Sequence, residues 1–169
     1  MANDELMQFL AHSVELESEA RERYLELADA MTAHHNQAVA DFFARMAREA
    51  ELHLAEVSEL AAGMNLPQLK AWEFDWPEAE PPETASYEAV HYRMSLRQAI
   101  TLALANERAA EQFYREAAEN TNDGDTARIA RDFANEEKSH AAELERMLAA
   151  LPESGENFRE EDDEPHLPE

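Results

Sequence analysis

AREAELHLAE (Ala47 to Glu56) and ANEEKSHAAE (Ala134 to Glu143) carry one pattern written twice. Ala47, Glu49, His53, Ala55 and Glu56 recur 87 residues later as Ala134, Glu136, His140, Ala142 and Glu143. A second motif accompanies it: Glu17-x-x-Ala20-x-x-x-Tyr24 returns 90 residues on as Glu107-x-x-Ala110-x-x-x-Tyr114. Steps of three and four place such residues on one face of a helix. The chain therefore reads as a duplicated helical hairpin. Each half brings a glutamate and a histidine to the same height.

Extending the periodicity outward gives four helices. The first spans about Asp4 to Met31, with Asn3 or Asp4 as N-cap, and the second about Asn36 to Ala62, stopped by Gly63. The third spans about Ser95 to Glu119. The fourth spans about Asp125 to Leu151, between the turn Asn122-Asp123-Gly124-Asp125 and Pro152. Few β-branched residues and only three glycines argue against a β fold and leave no material for a phosphate-cradling loop. The connection 64–94 holds Pro67, Pro77, Pro81, Pro82 and both tryptophans, Trp72 and Trp76. It is expected to be a long crossover strapped down by aromatics, with a short helix around Tyr87–His91. Short loops within each pair and one long crossover between pairs predict an all-α, ferritin-like four-helix bundle of two antiparallel hairpins. The domain is 1–151, and residues 152–169 form an acidic tail expected to be disordered.

Acids outnumber bases 38 to 14, for a formal charge of −24. Such a surface repels nucleic acid and anionic membranes and attracts cations. No run of residues suits a membrane span or a signal peptide, so the expected location is the cytoplasm. Without cysteine there are no disulfides, thiolate metal sites or Cys nucleophiles.

The inward stripes are apolar except at mid-height, where Glu17, His53, Glu107, Glu137 and His140 stand. A bare carboxylate in an apolar bundle costs several kcal/mol. Three of them with two imidazoles call for compensation, and a pair of divalent metals supplies it. Carboxylate and imidazole are donors for iron, manganese or zinc. Glu137-x-x-His140 has the i, i+3 spacing used in di-metal bundles. By chance alone, 29 glutamates and 7 histidines give about one such match, so the repeat carries more weight. A second match, Glu88/His91, lies in the crossover and has no partner helix. Tyr24 and Tyr114 suit core packing as well as hydrogen bonding, and Met31, Met46 and Met147 read as core filler. His34, His35 and His166 read as exposed.

ESEARERY (Glu17–Tyr24) and NEEKSHAAEL (Asn135–Leu144) resemble the helix signatures of the rubrerythrin branch of ferritin-like proteins. The resemblance implies a non-haem di-iron centre that reacts with peroxide or dioxygen. It implies Glu17 and Glu107 as terminal ligands, Glu137 as a bridge, His53 and His140 as imidazole ligands, and Tyr24 and Tyr114 as groups behind them. Two iron ions are the expected cofactor, with manganese or zinc as alternatives.

Three departures qualify it. Ala50 stands where the family pattern wants a bridging glutamate, so either neighbouring Glu49 leans in as a substitute or one bridge is missing. Ala110 stands where rubrerythrins carry an extra glutamate tied to peroxide chemistry. No cysteine-bound rubredoxin module is present, so electrons would come from an external donor protein. A homodimer is the expected assembly. Three functions stay open: a di-metal oxidoreductase of peroxidase or ferroxidase type, an iron-binding or storage protein, and a bundle with a degenerate metal site in a structural or binding role.

Overall fold

The computed structural model describes residues 2–69 and 93–152. Expectations for Trp72, Trp76, the helix around Tyr87–His91, Glu88/His91 and the acidic tail lie outside the described residues. Four helices form among the described residues: α1 (Ala2–Ala33), α2 (Gln37–Leu60), α3 (Leu96–Asn120) and α4 (Gly124–Ala150). They match the expected set to within a few residues, and no strand accompanies them among the described residues.

The differences lie at helix ends. The first helix begins at Ala2, so Asn3 and Asp4 are inside it rather than capping it. Asp123 caps α4 by accepting from the Thr126 backbone N–H at 3.0 Å. Ser95 caps α3 in a reciprocal box: its hydroxyl accepts from Gln98 N–H at 3.0 Å, and the Gln98 side chain accepts from Ser95 N–H at 2.9 Å. Ser95→Ala should therefore cost about 1 kcal/mol in urea denaturation. His35 turns the chain between α1 and α2 with φ 63°, and Gly63 at φ 83° follows α2, a left-handed conformation glycine adopts without penalty. Leu60, whose spacing three residues after buried Val57 suits the inward stripe, is exposed; Ala61, Met64 and Leu66 pack against that end of the core instead.

Side-chain contacts fix the topology. Glu5 meets Thr121, Ser13 meets Tyr114 and Tyr24 meets Asn106, so α1 and α3 run antiparallel. Arg45 meets Glu143 and His53 meets Glu136, so α2 and α4 also run antiparallel. With each hairpin antiparallel as well, α2 and α3 are parallel. The C-terminal end of α2 and the N-terminal start of α3 therefore lie at opposite ends of the bundle, about 36 Å apart for the 24 residues of α2.

The core is in two parts. Tyr24, Met31, Phe43, Met46 and Ile100 belong to one apolar cluster, at the end of the α1–α2 turn. Phe9, Leu10, Val57, Tyr114 and Phe133 belong to the other. The layer between them is polar.

Candidate metal centre

Glu17 from α1, His53 from α2, and Glu107 and Glu137 from α3 and α4 are all buried within that layer; His140, also from α4, is partly exposed. All four helices contribute, as the repeat predicts. The side chains form two groups with one member in common. In the first, His53 Nδ1 lies 2.8 Å from Glu17 Oε2 and 3.3 Å from Glu137 Oε2. In the second, His140 Nδ1 lies 3.4 Å from Glu107 Oε1 and 3.7 Å from Glu137 Oε1. Glu137 therefore turns one oxygen toward each group. Each group offers three donor atoms close enough to share one cation.

Proximity has not produced hydrogen bonds throughout. Neither ring nitrogen of His53 has a partner in hydrogen-bonding direction, and Glu107 Oε1 also lacks one. Orphaned polar atoms at such depth are costly. Cations would satisfy them, so these residues fit a pair of metal ions chemically.

The charges are strongly coupled. Burial lowers the His53 pKa, but the carboxylates of Glu137 and Glu17 outweigh it and raise the ring to about 10. Glu107 and Glu137 together raise His140 to about 11 against the opposing effect of burial. Burial raises Glu17, only partly offset by His53. Burial and the neighbouring Glu137 charge push Glu107 well up. Glu137 is buried too, yet contacts with Glu107, His140 and His53 hold it well below the usual carboxylate range. It is the carboxylate most firmly kept ionised.

The tyrosines pack in the core and carry polar contacts. Tyr114 donates to Glu17 Oε2 at 3.1 Å. A phenol has one hydrogen, so Ser13, at 2.7 Å, donates to Tyr114. Tyr24 instead accepts from Asn106 Nδ2 at 3.3 Å. The repeat is thus asymmetric behind the candidate ligands: Ser13 corresponds to Ala103, and Asn106 to Leu16. Burial raises both phenols well above their ordinary value, so both remain protonated. Tyr114→Phe should destabilise the metal-free protein by about 1–3 kcal/mol in denaturation, because buried Ser13 and Glu17 lose their partner.

Glu49 lines the cavity beside the centre but belongs to neither group; Arg45 Nε lies 3.6 Å from it and Nη2 lies 2.8 Å from Glu143. Ala50 is buried on the same wall. Sequence reasoning missed a third group on the other edge of His53. Glu136 Oε1 lies 3.5 Å from His53 Nε2, with Glu56 beside it. The repeat held a clue, since Glu136 and Glu49 correspond, while Arg45 corresponds to Asp132. The arginine that engages Glu49 has no counterpart beside Glu136. His34 and His35 are exposed, as expected. No described helix is long and apolar enough to cross a membrane.

A search of curated proteins finds no match to the chain. A solved crystal structure of an uncharacterized conserved protein from Magnetospirillum magnetotacticum MS-1 is similar to it, with a TM-score of 0.72 and 36% identity. That likeness covers 86% of this chain and 95% of the other. The family model for rubrerythrin matches residues 8–148, from within α1 to within α4. The chain belongs to the rubrerythrin family.

Proposed function

We propose that the protein is a di-iron carboxylate oxidoreductase that reduces peroxide or dioxygen with electrons from a separate donor protein. The observation that carries this reading is the position of Glu137, with one oxygen in each of two three-donor groups. A shared carboxylate holds two cations side by side. Glu17 and His53 would complete one position, and Glu107 and His140 the other. Manganese or zinc would satisfy the same donors, but only iron or manganese would make the centre redox-active.

An iron pair, when bound, supplies the electrons for reduction of the oxidant. This chain's own residues do the rest. Each imidazole must give up its Nδ1 proton to bind a cation. Tyr114, anchored by Ser13, holds Glu17 in place through its hydrogen bond. The apolar clusters above and below shield Glu17, His53 and Glu137 from bulk water, while His140 keeps a partly exposed edge. No cysteine stands among these residues to hold a thiolate-bound iron, so in this reading the reducing electrons are supplied from outside the bundle. Cytoplasmic location and a homodimer fit this reading.

The test is an anaerobic titration with Fe(II), followed by peroxide or dioxygen. Two ions per chain, stoichiometric consumption of oxidant and near-ultraviolet charge-transfer absorption are expected. Iron uptake without any oxidant consumption would contradict the activity. A large hollow assembly in solution would favour storage instead.

A further inference from the structure

A cation on Nδ1 satisfies one nitrogen of His53 and leaves the other to be accounted for. Neutral imidazole carries a single hydrogen, so a ring that gives Nδ1 to a cation keeps its hydrogen on Nε2. That nitrogen is buried, and burying a donor without an acceptor is costly. Phe133 meets the ring edge-on, with centroids 4.7 Å apart, and offers no acceptor. The carboxylates at that edge are Glu136, with Oε1 3.5 Å from Nε2, and Glu56 beside it. The Glu136 side chain is partly exposed, so it can swing the short distance into hydrogen-bonding direction. A carboxylate behind a metal-binding imidazole fixes which nitrogen carries the hydrogen, orients the ring and makes it a stronger donor.

The second imidazole is placed differently. By the repeat, Glu49 stands to His140 as Glu136 stands to His53, and Glu49 and His140 line one cavity. Yet Glu49 is engaged elsewhere. Arg45 Nε lies 3.6 Å from it, and the guanidinium is itself tied across to α4 by Glu143 at 2.8 Å and by the sulfur of Met147. In the other half Asp132 replaces Arg45, and its like charge cannot draw Glu136 away. The His140 side chain is 33% exposed, so its Nε2 hydrogen can go to water, a mobile partner that holds the ring less firmly.

We propose that Glu136 is a positioning residue that accepts the Nε2 hydrogen of His53, and that Arg45, by engaging Glu49, denies His140 the equivalent partner, so that the cation held by Glu17, His53 and Glu137 binds first and more tightly. This rests on the two-cation reading above.

The test uses the full chain, isotope-labelled on nitrogen and loaded with Zn(II), a redox-silent, diamagnetic cation that the same donors accept. Competition with a chromogenic chelator gives the stepwise affinities, and long-range proton–nitrogen NMR shows which ring nitrogen is coordinated. Two ions per chain are expected, the first about tenfold tighter or more and coordinated by His53 Nδ1. The Nε2 hydrogen of His53 should exchange slowly with solvent. Glu136→Ala should lose that slow signal while Nδ1 stays coordinated, and should weaken the first zinc about 10–100-fold. Glu136→Gln, which keeps an acceptor without the charge, should retain the signal and fall between. Arg45→Gln should release Glu49, give His140 a slowly exchanging Nε2 hydrogen and tighten the second zinc about tenfold. Adding Glu49→Ala should remove that His140 signal. Circular dichroism should show unchanged helix content throughout. Fewer than two zinc ions per chain would overturn the two-cation reading and the loading order with it. Two ions with His53 bound through Nε2, with its slow hydrogen indifferent to Glu136→Ala, or with the first zinc on His140, would overturn the proposal alone. So would a third zinc held by Glu56 and Glu136.

Discussion

Glu137→Ala should bind neither cation of the pair tightly, while Glu17→Ala and Glu107→Ala should each weaken one position much more than the other. Glu137 Oε2 lies 3.3 Å from His53 Nδ1, and its Oε1 lies 3.7 Å from His140 Nδ1. Removing this carboxylate strips a donor from both groups at once. Glu17 and Glu107 each belong to one group only. Leaving a buried charge without its partner costs roughly 3–5 kcal/mol, which is about two to four decades in affinity. Alanine favours the helix, so circular dichroism should show unchanged helix content. Anaerobic equilibrium dialysis with metal analysis reads the outcome. Two ions held by Glu137→Ala at the parent affinity would remove the bridge from the account.

Metal uptake should be steeply pH-dependent. In the metal-free protein His53 titrates at about 10 and His140 at about 11, so both are imidazolium at neutral pH. Each must become neutral to offer its Nδ1 lone pair, so each ion bound expels at least one proton. Affinity for each ion should rise about tenfold per pH unit from pH 6 to 9, and the product for the pair about a hundredfold. Burial raises Glu17 and Glu107, and any proton either carboxyl carries must also leave before it binds a cation, an effect of the same sign. Isothermal titration in buffers of different ionisation heat counts the protons directly. Pairing that raises both histidines above their unfolded value of 6.5 stabilises the metal-free fold fully below that value. The contribution is lost as pH rises through about 10 to 11. Glu137 acts in the opposite sense: its lowered pKa stabilises the fold above 4.5 and is lost on strong acidification. The metal-free protein should therefore melt earlier in mild alkali than at neutral pH, and the loaded protein should not.

Much of this arrangement was legible in the sequence because a duplicated hairpin writes its candidate ligands twice. Helical spacing put Glu17, His53, Glu107, Glu137 and His140 at one height, and the fold brings them together there. The helix ends were less legible. Asn3 resembles a cap in sequence, but the helix begins before it. Leu60 has inward spacing, yet the turn after it supplies the residues that cover that end of the core. The contacts behind the centre were hidden for a different reason. Asn106 and Glu136 lie one position from the candidate ligands Glu107 and Glu137, and only the rotation of each helix decides that they face Tyr24 and His53. Glu49 shares that offset, but Arg45 engages it, a cross-helix contact that spacing alone does not reveal.

The central claim is that two cations sit at mid-height in the bundle, joined by Glu137. Crystals grown anaerobically with Fe(II) and measured on both sides of the iron absorption edge test it most directly. The account predicts two anomalous peaks per chain, about 3.5–4 Å apart, one among Glu17, His53 and Glu137 and the other among Glu107, Glu137 and His140. A fully loaded crystal with no peak between those side chains, or with iron only on the acidic surface, would contradict it.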